Sequence, residues 1–461
     1  MPKRERYDLV IVGAGPFGLA SAYHVSQQQL ADSVLVLDAR SGPGEGSMSA
    51  ANSMVRDVFS SWDNHLLAKN AIAFYRHLMA TVESLRSPVP LLDLYGYLWL
   101  LPASVRDAYL DIVAKSSGSI DARAVPLEEL RSCPGLEPAP TRWYEDDQAI
   151  APEPISGGFF GRTCGALAPE MLAHHYYEEA RAAGVEFEFN ACVRRLSFEG
   201  REEILLHDGS ARPFAFQERM RGRLRIGRVV LGDGRSIRAD RVVVAAGAWS
   251  ESLLHPIGFA TGCSPRPQHL YSVSGAAVDE LLAWTAPVTP LGSDTGTGRM
   301  PFLILPTGAA LKPVFRQRRL WVELEDTSHP IGTLENPGRD GTLDYNMARL
   351  ADPSSYATDV LPAVTPYLPR LGTTAARLES SWGGYYHFSP DGHPVVVEQP
   401  YGVIFAGGDS GSGIMKADSI GRLVAAAHAG RREAKLFTGD SYRVDRLSLA
   451  HRNLADERII L

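Results

Sequence analysis

The sequence predicts an α/β fold whose parallel layer is assembled from both ends and the middle of the chain, with a second domain woven through it. Three observations carry this. The first forty residues alternate strand, glycine turn, helix and strand. A buried-strand pattern ending in small residues recurs at Arg241–Gly247. A third such strand, Tyr401–Ala406, runs through another glycine-rich turn into a helix. A length of 461 residues allows about three domains of ordinary size, but like elements so far apart argue against a simple split into N- and C-terminal halves.

Tyr7–Val12 is a short apolar run suited to a strand buried on both faces. A helix over Leu19–Gln29 and an apolar strand over Ser33–Leu37 follow, the strand ending at Asp38. Leu66–Val82 and Glu170–Ala183 have helical spacing, while Tyr95–Leu101 and Val185–Phe189 read as strands. Phe198–Arg241 holds two strand-like runs around a polar insert, Arg212–Arg225. The alternating arginines of that insert fit a solvated hairpin better than an RNA- or membrane-binding face. Phe302–Asp326 reads as three strands joined by turns near Thr307-Gly308 and Arg316–Arg319. The last helix is expected over Ile414–Ala429.

Apolar residues at 45% and charged residues at 21% are those of a globular chain with a core, not of a disordered one. Against 46 Lys+Arg stand 53 Asp+Glu, a net charge of −7, which argues against nucleic acid or a membrane surface as partner. Cys133, Cys164, Cys192 and Cys263 share no metal-ligand or CxxC spacing, so no metal site is expected and the thiols fit a reducing, cytoplasmic setting. The basic N-terminus leads into an apolar run that stops at Gly13, short of the roughly 7–15 residues of a secretory signal. Nothing approaches the ~20 apolar residues of a transmembrane helix.

Gly13, Gly15 and Gly18 form a GxGxxG turn between strand and helix, and Asp38 follows Gly18 after the second strand at the usual distance of about 20 residues. Gly13 permits the tight turn, Gly15 lets the main chain approach a pyrophosphate, and Gly18 lets helix and strand pack closely. Pro16 fits the first helical turn, whose free N–H groups and positive dipole end attract phosphate. Asp38 is placed to accept hydrogen bonds from ribose hydroxyls. FAD and NAD both fit this unit. The second turn, Gly407–Gly413, is not another GxGxxG in a βαβ frame, so one dinucleotide is expected.

Together these segments resemble the D-amino acid oxidase superfamily, and within it the sarcosine oxidase-like flavoenzymes. The resemblance is carried by Gly13–Gly18 with Asp38, by Ser47–Arg56, by Val242–Ser250, and by Trp382–His393 with Ala406–Leu423. It implies noncovalent or covalent FAD in a Rossmann-like domain over 1–88, 151–255 and 379–461. It also implies a substrate domain over 89–150 and 256–378, built on a mixed, largely antiparallel sheet. The family chemistry is oxidation of the C–N bond of an amine or amino acid, with hydride passing to flavin, hydrolysis of the imine, and reoxidation by O2 or another acceptor. By position the resemblance brings to FAD Gly13, Gly15, Pro16, Phe17, Gly18, Asp38, Ala39, Arg40, Ser47, Ser49, Val193, Ala246, Gly247, Trp249, Gly384, Gly408, Asp409, Ser410, Gly411, Ser412, Gly413, Ile414, Met415 and Lys416.

The chain departs from that pattern in two places. Covalent sarcosine oxidases carry FAD on a cysteine six residues before the proline of a Pro-Asp-x-His segment. Here the segment is Pro390-Asp391-Gly392-His393 and the position is Gly384, so FAD is expected to be noncovalent. Those enzymes also clamp the substrate carboxylate between an arginine, matched by Arg56, and a lysine whose place falls on Met415, with Lys416 one residue later. One residue is about 100° around a helix. Tyr385, Tyr386 and His387 are expected beside the flavin, with His387 tuning proton transfer. Tyr271, Lys312 and Arg316 are further pocket candidates. Three other functions stay open: a hydroxy-acid dehydrogenase, which needs a positioned base such as histidine; a flavin hydroxylase, echoed by Gly232–Ser236; and a non-enzymatic FAD-containing assembly factor, since Ser412–Gly421 lacks the histidine and phenylalanine usual in the oxidases.

Overall fold

A computed structural model describes residues 4–86, 89–115, 118–140, 152–198, 203–205, 211–213, 225–284, 299–324, 353–398, 401–449 and 452–459. Most of the Arg212–Arg225 insert lies outside the described residues.

Two eight-stranded sheets organise the chain. In the first, Glu186–Glu188, Val34–Leu37, Arg6–Val12 and Ser236–Val244 lie parallel in that order. The long Ser236–Val244 strand splits its pairing. Its first half meets Ile226–Leu231 antiparallel and its second half meets Val403–Gly407 parallel. Strict burial on both faces follows from the apolar runs. Leu9 and Ile11 pack with helices Pro16–Gln27, Trp62–Thr81, Pro169–Ala182 and Ala417–His428. Val10 and Val12, on the other face, pack with Leu253, Leu254 and Ile257.

The second sheet runs in the order Arg377–Phe388, Ser264–Ser274, Arg319–Leu324, Ala310–Val314, Phe302–Ile304, Tyr97–Pro102, Ile155–Gly161, Ala122–Pro126. All its pairs are antiparallel except Phe302–Ile304 with Tyr97–Pro102. This is the mixed, largely antiparallel sheet expected. Strands Ile155–Gly161 and Arg377–Phe388 belong to it, although the segments 151–255 and 379–461 were expected to serve the other domain.

The helices are shifted by local chemistry. The first begins at Pro16, in the first-turn position read for it, where proline is favoured because the missing N–H is in any case unbonded. The last begins at Ala417, not Ile414: Lys416 has φ −122° and ψ −1°, so it stands at the N-cap, outside the helix. No helix among the described residues is long and apolar enough to cross a membrane.

Gly18 shows how tightly the first βα turn is closed. A Cβ there would stand 1.8 Å from the Gly13 carbonyl oxygen, whereas a Cβ on Gly15 would meet nothing within 4 Å. Gly18→Ala is therefore expected to cost about 1–3 kcal/mol or more, read as a lowered thermal midpoint of the apoprotein. Gly15→Ala should leave that midpoint within the range of an ordinary surface change, about 0.5 kcal/mol.

Candidate active site

The parallel strands Arg6–Val12, Val34–Leu37, Ser236–Val244 and Val403–Gly407 end together, at one side of a cavity of about 1640 Å³, its open mouth included.

At one end Gly13 adopts φ +107°, and its N–H donates to Leu37 O at 2.8 Å. Leu19 N–H makes the first turn's bond to Gly15 O at 2.9 Å. No side chain caps this helix and its first turn holds no acid, so the amides and the dipole face the cavity without competition. Asp38 follows the second strand. Its carboxylate accepts from Ala14 N at 2.6 Å and Arg40 N at 2.7 Å, and burial lifts its pKa above the usual range. Main-chain bonds from Ala191 to Asp38 O and from Asn190 to Arg40 O bring Ala191 and Val193 to the same wall.

The other end is built by the turn after Phe405 and the strand Arg377–Phe388. Gly408, Ser410 and Gly411 all adopt positive φ. Ser410, the only non-glycine of the three, is held there by its N–H to His387 O at 3.0 Å and by Ser389 N donating to its Oγ at 3.1 Å. The Tyr386 ring lies on Gly411, where an added Cβ would come within 3.1 Å of it. Its hydroxyl donates to Glu323 Oε1 at 2.7 Å. Tyr385 meets Trp249 edge to face, centroids 5.7 Å apart, and its N–H donates to Ser47 Oγ at 3.2 Å. His387 is buried and accepts at Nδ1 from Gly408 N–H at 3.1 Å, so its proton sits on Nε2, which has no partner. Burial holds its pKa down at about 4. A glycine-lined helix terminus without a cap, an acid just past the next parallel strand and a buried donor without an acceptor fit a flavin dinucleotide.

The DAO family, described as FAD dependent oxidoreductase, matches residues 8–427. The chain belongs to the DAO family of FAD-dependent oxidoreductases. Its cofactor is FAD and it is an enzyme. It is 24% identical over 455 residues to FAD-dependent oxidoreductase domain-containing protein 1 of Bos taurus, covering 91% of this chain and 81% of that protein. It is 26% identical over 253 residues to N-methyl-L-tryptophan oxidase of Salmonella arizonae, covering 54% of this chain and 55% of that one. Glycine oxidase from Geobacillus kaustophilus shares the fold with TM-score 0.66 and 19% identity, over 98% of this chain and 100% of that one. L-proline dehydrogenase from P. horikoshii does so with TM-score 0.64 and 17% identity, over 96% and 97%.

Most of the residues expected at FAD line the DAO-family cavity: Gly13, Gly15, Pro16, Phe17, Asp38, Ala39, Arg40, Ser47, Val193, Ala246, Gly247, Trp249 and Gly408 through Met415. Five expected site residues do not. Gly18 is closed against Gly13. Ser49 turns back to donate from Oγ to Gly46 O at 3.0 Å. Gly384 packs on Ser47 and Ala50, where a Cβ would come within 3.2 Å. Tyr271 pairs with Val322 and Ser381, so strand alternation puts it on the opposite face from Glu323, in the core beside Tyr356. Lys416 is fully buried behind Met415, donating to Asn64 Oδ1 at 2.7 Å and Ser412 Oγ at 2.6 Å, over the Phe59 ring. Burial draws its pKa down to about 7, with Glu457 raising it, Arg56 lowering it and Asp409 raising it.

Arg56 does line the cavity, but its Nη1 donates to Val58 O at 2.6 Å and its Nη2 to Ile459 O. Its visible role is to hold the C-terminal segment. Lys312 donates to Asn52 O at 2.6 Å from below the wall, and Arg316 is exposed on its turn. Tyr97, Phe302, Asn52 and Glu323 line the cavity and were not singled out by sequence. The signal for Glu323 was an acid in an apolar strand, Leu320–Leu324.

None of the four cysteines lines the cavity, and Gly384 offers no side chain. Acid precipitation is expected to leave FAD in the supernatant and a colourless pellet; a yellow pellet would refute noncovalent binding. A second expectation concerns Asp409, whose carboxyl burial lifts to about 6, opposed by Gly411 N–H and by Lys416. Its folded pKa exceeds the unfolded one, so stability is lost as pH rises through that window. Asp409→Asn should raise the thermal midpoint of the apoprotein, the gain growing from about pH 4 to about pH 6 and level above, with a ceiling of about 3 kcal/mol. Equal midpoints at pH 8 would show Asp409 better compensated than its burial implies.

Proposed function

We propose that this enzyme oxidises the C–N bond of an amine or amino acid, hydride passing from carbon to flavin and the imine product being hydrolysed. The bound flavin supplies a two-electron acceptor, and O2 or another oxidant takes the electrons on.

The observation that carries this over hydroxyl oxidation is the state of His387. It is the only histidine on the cavity wall among the described residues. A hydroxyl donor needs a strong positioned base to take its proton as hydride leaves, and the cavity-wall carboxylate of Glu323, tied to Tyr386 and Asn52, is a weak one. His387 cannot be that base: its lone pair at Nδ1 is occupied by Gly408 N–H, and Nε2 already carries the proton. An amine does not need such a base once its own nitrogen is unprotonated, because the lone pair drives the transfer. His387 then acts as a neutral donor into the cavity. Tyr386 is fixed by Glu323 and Gly411, and Tyr385 and Trp249 wall the site. The relatives named above for oxidation of N-methyl-L-tryptophan and glycine, and for dehydrogenation of L-proline, support the same bond type.

Anaerobic mixing of the yellow protein with panels of amines, amino acids and hydroxy acids tests the proposal. Amine or amino acid bleaching of the flavin, with hydroxy acids inert, is the expected outcome. Faster bleaching by hydroxy acids would overturn it, and no bleaching by any class would favour a non-catalytic use of FAD. Admission of air then separates oxidase from dehydrogenase by the rate of recolouring.

A further inference from the structure

The substrate end of the cavity is built on one face of the second sheet. Antiparallel pairing aligns Leu270 with Glu323 and with Trp382, and Arg266 with Tyr386. Ala310 pairs with both Glu323 and Ile304, and Tyr97 with Phe302. Period-two alternation therefore sets Tyr386, Glu323, Phe302 and Tyr97 on the same side, and all four line the cavity. The Tyr97 and Phe302 rings lie 4.5 Å apart, so the apolar part of this wall is aromatic.

On this face of the sheet the polar centre is Glu323, an acceptor, with Asn52 beside it. Glu323 is 2% exposed. Its Oε1 receives the Tyr386 hydroxyl at 2.7 Å and its Oε2 receives Asn52 Nδ2 at 2.7 Å. That second bond fixes the Asn52 amide, because a flip would set Oδ1 against the carboxylate. Asn52 Oδ1 is left buried with no hydrogen-bond partner, on a residue that is 4% exposed and lines the cavity. Lys312 holds the Asn52 main-chain oxygen and lies over Trp321, so it braces this pair from behind. Of the two cations that sequence offered as a carboxylate clamp, Lys416 is held by Asn64 and Ser412 away from the cavity, and Arg56, which lines it, gives one bond from each Nη to the Val58 and Ile459 carbonyls.

We propose that the cavity selects its substrate by nitrogen and not by a carboxylate: Glu323 and Asn52 Oδ1 receive the N–H groups of an amine bearing an apolar or aromatic substituent and no adjacent carboxylate. The proposal rests on the amine-oxidising reading above and narrows it. Carboxylate and amide acceptors match ammonium donors, and the Tyr97, Phe302 and Tyr386 faces favour a cation over an anion. A carboxylate on the adjacent carbon would place its charge beside Glu323. A protonated amine bound there transfers its N–H proton to a Glu323 oxygen: the N–H bond breaks, the O–H bond forms, both charges vanish, and the nitrogen lone pair is freed for hydride departure.

Two probes isolate the claim: N-methylbenzylamine, and N-methylphenylglycine, which adds only a carboxylate at the reacting carbon. Each is titrated anaerobically into the flavin-loaded protein. Perturbation of the oxidised flavin spectrum reports binding, and bleaching reports turnover. The amine is expected to bind at least ~10-fold tighter than the amino acid. Glu323→Gln should weaken the amine by ~10-fold or more and bring the ratio near one, while Glu323→Asp keeps a preference for the amine. Equal or tighter binding of the amino acid by the unaltered protein would overturn the proposal, as would a ratio unchanged in Glu323→Gln. Should the Gln variant not retain flavin, the ratios of the unaltered protein and of Glu323→Asp decide. Selective binding without bleaching by any amine would sink the oxidation and leave the selectivity standing; bleaching by both probes with equal affinity would do the reverse.

Discussion

The site depends on one constraint, the common ending of four parallel strands. Leu37, Val12, Val244 and Phe405 are in register across the first sheet. The residues that follow them, Asp38, Gly13, Ala245 and Ala406–Gly408, therefore emerge at a single level, where parallel α/β sheets bind their ligands. The turn at Gly13 can be tight only because neighbouring strands close around it: a Cβ there would stand 2.4 Å from the Ala245 oxygen. Sequence separation of more than 350 residues between the two glycine turns is erased by this register alone.

The second sheet reaches the cofactor through its edge strand, Arg377–Phe388. Because alternate residues point to opposite faces, this strand does two things at once. Tyr386 looks back along the sheet to Glu323, while Tyr385 meets Trp249 and His387 meets the Gly408 turn. An edge strand has a free side on which loops can close, and the Ser47–Ala50 loop closes there, with Ser47 Oγ accepting from Tyr385 N and Ala50 O accepting from Trp382 Nε1. Gly384 eases that closure, since a Cβ there would press on the Ala50 methyl at 3.2 Å. The residue that rules out a cysteinyl tether is thus also the one that admits the loop.

The dinucleotide half was legible in sequence because its rules are local. Gly13, Gly15, Gly18 and Asp38 lie within one βαβ unit, and each glycine has a steric reason that one turn supplies. The order of strands Phe302–Leu324 and the character of both sheets were legible for the same reason. What was not legible depends on pairing between distant strands. Tyr271 is an aromatic on a strand of the right sheet, and only its register with Val322 and Ser381 shows that it faces the wrong way. Glu323 is one residue of a strand with no marker except its charge, and only the same register sets it beside Tyr386. The first turn of the last helix was misplaced because Lys416 has ordinary helical propensity, yet it stands at the N-cap with its ammonium bound to Asn64 and Ser412.

Position in a family pattern and role in the molecule separate most clearly at the charged residues. Arg56 occupies the place of a substrate clamp, yet its guanidinium binds two main-chain oxygens and lies over Phe59. Lys416 stands one residue from the other clamp position, yet it is sealed between Asn64, Ser412 and the same ring. Glu457 completes this group by accepting from Ser60, Ser61 and Asn64 and so fixes the C-terminal segment against the floor of the site. Buried ions are costly to desolvate and persist only when their donors and acceptors are matched. Here the matching is done by protein groups, which makes these cations braces for the cavity floor. The acidic wall around Glu323, with an asparagine oxygen still lacking a donor, is the part of the site left to be completed by a ligand.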